Sequence, residues 1–243
     1  MIQVFRKEMA AFLNSLIAYV VMGVFLISTG LLVWVLPDTS VLDFGFADLG
    51  SFFAVAPYVL LFLVPAITMR SVAEERKLGT LEWLLTKPVS ETAIVTGKYL
   101  AAWSLTLLAL LPTVVYVYSL YRLGNPVGNL DLAGTIGSYL GLALLAAVFC
   151  AIGLLASAST SNQIISFVLA AFGCYVFFAG FDLLAGLITE GQFNLFIRQL
   201  GLTEHYQSMS KGVIDSRDVV YFGSVIFVLL ALTRLTLRAR QWE

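Results

Sequence analysis

Six long apolar runs, separated by segments that hold nearly all of the charge, organise this chain. On a window of about 20 residues, the length that crosses about 30 Å of hydrocarbon at 1.5 Å per residue, they fall at 16–36, 52–69, 99–121, 136–157, 163–181 and 219–237. The first five contain no Asp, Glu, Lys or Arg, and the sixth holds only Arg234, close enough to one end to snorkel. The pattern predicts an all-α integral membrane protein, a single domain of six transmembrane helices over residues 1–243.

Ahead of the first run, residues 1–15 place Ile2, Phe5, Met9, Phe12 and Leu13 at helical spacing with Arg6, Lys7 and Glu8 between them. This predicts an amphipathic interfacial helix that holds the first span against its neighbours. An early start of the first span would use the same letters.

The segment 70–98 concentrates charge and punctuation. Ser71 to Glu74 has the S-x-x-E spacing of a capping box, although continuation of the second span as a helix explains the same residues. Gly79 breaks that helix, and Thr80 can cap a short new one with Glu82 in its positively polarised first turn. Leu81, Leu84 and Leu85 lie along one side of it with Trp83 beside them, Pro88 closes it, and Ser90 can cap the helix that follows. Such a helix fits a groove on a cytosolic partner or the membrane surface, and physical reasoning leaves these two evenly matched.

Composition agrees with the pattern. The chain is 60% hydrophobic and 12% charged, far from the quarter-charged content of soluble domains. With the N-terminus inside, inner segments hold ten of the 14 Lys and Arg residues, which predicts both termini in the cytoplasm. A net charge of −1 without a basic stripe argues against nucleic acid as a partner. No short apolar region with a small-residue cleavage site opens the chain, so the first span is expected to be a retained anchor. Cys150 and Cys174 fall inside spans and read as small buried apolar residues rather than as a disulfide or a metal site.

Little points to chemistry within the chain. No G-x-x-x-x-G-K-[ST] is present, and Gly97-Lys98 runs into Tyr99, so ATP hydrolysis would have to occur elsewhere. An ion-driven carrier needs ionisable groups at membrane depth, and Asp182, the nearest, reads as an exposed acid at a helix end. His205 is the only histidine, which excludes an H-E-x-x-H zinc site, and beside Glu204 it reads as half of a solvated pair. In the outer segment 182–218, Phe193, Leu195, Phe196, Ile197, Leu200 and Leu202 surround Arg198 and predict a re-entrant or interfacial helix. Gly137 and Gly141, with Gly134 a turn earlier, allow close helix approach and read as packing within the subunit. Pro57, Pro65 and Pro112 can kink the second and third spans.

The string EERKLGTLEWLLTKPVSETAIVTGKYLA, from Glu74 to Ala101, resembles the intracellular signature of ABC-2 transporter permeases, E-x-x-x-G-T-L-E-x-L-L-x-x-P-[VI]-S. In detail the chain is most similar to gliding-motility-associated permease subunits, a likeness that extends to the outer stretch LTEHYQSMSKGVIDSRDVVYF. The resemblance implies a type V exporter-like permease of the bacterial inner membrane, in which 70–98 is a coupling loop. It places the contact with a cytosolic ABC ATPase at Glu74, Glu75, Gly79, Thr80, Leu81, Glu82, Leu85 and Pro88. ATP and Mg would be bound by that partner, and this chain would carry no cofactor. It further implies a second permease chain, in some members an accessory membrane subunit with a periplasmic domain, and an outer gate at Phe193 and Phe196. Two alternatives share the span pattern: a non-transporting machine acting on an envelope partner, and an ATP-independent secondary carrier. Recovery of a stoichiometric ATPase separates the carrier from the others.

Overall fold

The computed structural model describes residues 1–36, 40–41, 48–80, 90–187, 191–212 and 215–239. Among them are helices and no strand. In chain order these are α1 (Ile2–Leu13), α2 (Leu16–Trp34), α3 (Gly50–Thr68), α4 (Ala73–Lys77), α5 (Glu91–Leu110), α6 (Val114–Leu123) and α7 (Leu132–Ser159). There follow α8 (Gln163–Tyr175), α9 (Phe181–Gly186), α10 (Gln192–Gln199), α11 (Leu202–Ser210) and α12 (Ser216–Ala239). A 3-10 turn joins α5 to α6 and a π turn joins α8 to α9. Among the described residues six stretches are long and apolar enough to cross a membrane: Leu16–Trp34, Gly50–Lys77, Glu91–Leu123, Leu132–Ser159, Gln163–Gly186 and Ser216–Ala239.

Helix starts follow local side-chain chemistry. The Ser15 hydroxyl accepts the Ile17 N–H at the head of α2, and Ser90 accepts that of Ala93 at the head of α5. Asp131 and Asn162 accept the N–H groups of Gly134 and Ile164 at the heads of α7 and α8. Each satisfies an N–H that has no partner in the first helical turn. Because Ser90 caps α5, the third span begins at Glu91 rather than at 99, and Lys98 lies inside the helix. Pro57 and Pro65 remain within α3, whereas Pro112 sits in the 3-10 turn.

The centre of the bundle is α7. Of its most apolar window 78% is buried, against 22%, 22% and 17% for the first, fifth and sixth spans. Val20, Ile27, Val168, Phe172, Phe227 and Leu235 face outward from those peripheral spans, as lipid contact requires. Lipid tails remove the hydrophobic drive between helices, so close approach and interhelical hydrogen bonds carry the packing. Glycine supplies the first: a Cβ on Gly153 of α7 would collide with Thr68 Oγ1 of α3. The second includes Trp103 Nε1 donating to the Ala143 carbonyl at 3.0 Å and Thr113 bonding Tyr139 at 3.1 Å.

The bundle has a motif end, which carries α1, α4 and the start of α5, and a far end. At the far end Phe53 meets Tyr139 edge-on at 5.0 Å, and Phe52 meets Tyr116 at 5.8 Å. The segment 182–218 divides in two there. None of α10 is buried, but α11 buries Leu202, Tyr206 and Met209. The glycine stripe of α7 receives them, within this one chain. A Cβ on Gly137 would lie 2.6 Å from the Met209 carbonyl oxygen, and one on Gly141 would lie 3.3 Å from Tyr206 and Met209. Tyr206 also donates its hydroxyl to the Phe53 carbonyl at 2.7 Å.

Candidate coupling site

The second span does not run unbroken into the motif. The chain turns at 69–72 and restarts as α4, capped by no side chain of its own. Ser71 and Glu74 form no capping box: the Ser71 hydroxyl is buried without a hydrogen-bond partner. The fourth span provides the cap instead. Ser157 Oγ accepts the N–H groups of Val72 and Ala73, each at 3.0 Å, and donates to the Met69 carbonyl at 3.1 Å. One hydroxyl thus satisfies three of the backbone groups that the helix break exposes.

Beneath the turn lies a charged hub. Lys98 Nζ of α5 donates to Glu8 Oε1 of α1 at 2.8 Å and to the Ser71 carbonyl at 2.6 Å, and pairs with Glu75 Oε2 of α4 at 2.8 Å. Only 1% of the lysine side chain is exposed. Lys7 completes the group by donating to Glu75 Oε1 at 2.8 Å. Two ammonium groups and two carboxylates therefore balance, the condition under which buried charge is tolerated. Burial by itself would lower the Lys7 ammonium, but the hydrogen bond and charge of Glu75, with Glu8 beside it, hold it above its ordinary value.

The interfacial helix packs accordingly. Glu8 and Val4 form its buried face, with Phe5, Met9 and Phe12 half-buried, while Ile2 and Leu13 of the expected apolar stripe are exposed. Val4 lies against Gly97, where a Cβ would come within 2.9 Å of it. α1 is thus fastened to the third span rather than only laid on a surface.

Of the residues the motif singles out, Glu75 is in the hub and Glu74 lies beside it in the first turn of α4. Gly79 has φ +69, the left-handed conformation that ends a helix at little cost to glycine. Thr80 donates its hydroxyl back to the Glu75 carbonyl at 3.2 Å. Leu81, Glu82, Leu85 and Pro88 lie outside the described residues. Just past that segment, Glu91 receives Arg234 at 3.3 Å and Arg238 at 3.6 Å from the last span. Both flanks of 81–89 are therefore tied down: on one side to α1, α5 and α7, on the other to α12.

A comparison with known protein families matches residues 36–197 to the family described as ABC-2 family transporter protein. The chain belongs to that family. It is a permease subunit and a multi-pass membrane protein; the family's membrane domain is a permease rather than an ATPase, and membership implies an ATPase partner. The matched range contains the motif and the second to fifth spans. No curated protein matches the chain.

Two hub residues of this ABC-2 permease, and the serine that caps the turn above them, escaped sequence reasoning. Lys98 reads as a loop charge, Glu8 as a polar face, and Ser157 as a neutral span residue. A lysine just inside a capped helix start is the one available signal, since Ser90 puts Lys98 within the helix rather than before it.

At the far end, a cavity of about 400 Å³ lies among α3, α7 and α11, with Asp48, Asp131, Tyr58, Phe53, Phe178 and Tyr206 in its wall. Phe193 and Phe196 are exposed on α10 and do not line it. Asp182 is half-buried in the first turn of α9. His205 is not a solvated partner of Glu204: its ring bonds Asp218 and the Gln199 carbonyl and stacks on Tyr221. Cys150 and Cys174 are buried and free.

Proposed function

We propose that this permease couples ATP hydrolysis by a separate nucleotide-binding subunit to export or movement of a substrate across the bacterial inner membrane. The observation that carries the reading is the hub at Lys98. A push delivered to segment 81–89 meets two tethered flanks, so it moves α1, α5, α7 and α12 together instead of bending a loose loop. Leu81, Glu82, Leu85 and Pro88, between the Gly79–Thr80 break and Ser90 in the sequence, make the contact that the ATPase engages, together with Glu74 and Glu75. ATP and Mg belong to the partner.

In this reading the motif end and both termini are cytoplasmic, in keeping with the bias of basic residues. Two permease chains work with two ATPase subunits, and the gliding-motility-like subtype and its accessory periplasmic subunit follow from the motif resemblance. α10, with Phe193 and Phe196, covers the outer mouth as a gate. Ionisable groups deep in the spans, which a carrier would need, have no support in the charge pattern.

The test is co-purification of the permease with its ATPase, followed by ATPase assays with Glu82→Arg and Leu85→Asp permeases. Both variants should insert normally and lose stimulation of the ATPase. Normal binding and stimulation by both would overturn the coupling assignment.

A further inference from the structure

His205 is held by acceptors at both ring nitrogens. Nδ1 lies 2.7 Å from Asp218 Oδ1 and Nε2 lies 2.9 Å from the Gln199 carbonyl oxygen. A neutral imidazole has one N–H and one lone pair, so it can satisfy only one of these contacts while its other nitrogen faces an acceptor. Both contacts are hydrogen bonds only when the site holds one further proton, either as imidazolium beside carboxylate or as neutral imidazole beside a protonated Asp218. That requirement is independent of tautomer.

The site joins three elements. His205 is on α11, Gln199 ends α10, and Asp218 and Tyr221 open the last span. Tyr221 stacks on the imidazole at 3.9 Å and donates its hydroxyl to the Leu200 carbonyl at 2.5 Å. Asp218 is buried, and its second oxygen has no hydrogen-bond partner, so the His205 contact is the interaction that compensates its burial. Glu204 on α11, Lys211 just past its end, and Asp215 and Arg217 ahead of Asp218 line the adjoining groove, two acids and two bases whose charges offset. Helix α11 also carries Tyr206 and Met209, the side chains seated on α7 and, through Phe53, on α3.

We propose that His205 and Asp218 form a proton-dependent clasp that seats α11 against the last span, closed when the site holds the extra proton and loosened when it is lost. Acidification on the far side stabilises the seated helix, and alkalinisation puts a nitrogen lone pair against either the Asp218 carboxylate or the Gln199 carbonyl, so that one of the two contacts is lost. The far-end cover of the bundle is then sensitive to pH on that side. This clasp does not depend on the ATPase-coupling reading.

The test uses the fact that His205 is the only histidine in the chain. Full-length protein with ¹⁵N-imidazole histidine, in lipid nanodiscs, gives one pair of ring-nitrogen signals that report protonation directly. Hydrogen exchange of the amides of 202–210 is followed in parallel from about pH 5.5 to about pH 8.5, the interval around which an ordinary imidazole changes charge. After correction for intrinsic exchange, protection of 202–210 should fall as the ring signals lose the extra proton, the two curves sharing a midpoint. Asp218→Asn should separate the two curves, while Glu204→Gln should leave both in place. Protection that does not change as the ring-nitrogen signals titrate in the unmodified chain, or ring-nitrogen signals that stay constant across the range while the protection of α11 changes, would overturn the clasp. These readouts need no variant, so a misfolded Asp218→Asn does not decide the matter.

Discussion

Lys98 Nζ and Glu8 Oε1 stand 2.8 Å apart across 90 residues of chain. The contact makes the N-terminal helix part of the bundle, because the same ammonium also holds Glu75 at the base of the motif. Replacing Lys98 with Met should leave Glu8 without its close partner and Glu75 with Lys7 alone, and cost about 3–5 kcal/mol. Thermal unfolding in nanodiscs would show a lowered midpoint, and adding Glu8→Gln to Lys98→Met should recover part of the loss. An unchanged midpoint for Lys98→Met would mean that the hub does not hold α1.

Ser157 acts on a helix other than its own. Ser157→Ala should leave the N–H groups of Val72 and Ala73 and the Met69 carbonyl without a partner, at about 1–3 kcal/mol. The effect should be local, with faster hydrogen exchange over 69–77 and unchanged exchange over 202–210. Uniform loosening of the whole bundle would argue that Ser157 serves general packing instead.

Gly137 sits where backbone meets backbone. Gly137→Ala places a methyl 2.6 Å from the Met209 carbonyl oxygen, which cannot rotate away as a side chain would. We expect a loss of about 1–3 kcal/mol from this overpacking, read as a lower thermal midpoint. Gly186→Ala, with nothing within 4 Å, is the control and should be neutral.

Lys7 gives a pH dependence with a definite sign. Its ammonium is held above the ordinary value of 10.5, so the Lys7–Glu75 pair contributes fully below that pH and the contribution fades as pH rises through the higher folded value. The side chain is 58% exposed, which limits the pair to below about 1 kcal/mol. Lys7→Gln should therefore be slightly less stable than the parent across neutral pH, and the two should converge only in strongly alkaline buffer. A gap that closes near neutrality would assign the effect to another group.

The six spans, the cap at Ser90 and the break at Gly79 were legible along the chain because each rests on neighbours in sequence. Hydrophobic length, a hydroxyl ahead of a helix and a glycine in the left-handed region are local properties. The packing of the Gly137 and Gly141 stripe was half legible: small residues announce close approach, but not that the visitor would be Met209 and Tyr206 from the far-end helix.

The family and the layout of the membrane spans were thus determined by the sequence itself, since a bilayer imposes its thickness on every apolar run. Tertiary structure alone decided which charges are solvated and which are buried. Lys98 and Glu8 look like any surface lysine and glutamate until α1 folds across the start of α5. His205 looks exposed beside Glu204 until α11 turns it toward Asp218. Charge pairing depends on distance in space, falling off within a few ångströms, and nothing in a linear string encodes that distance for residues 90 positions apart.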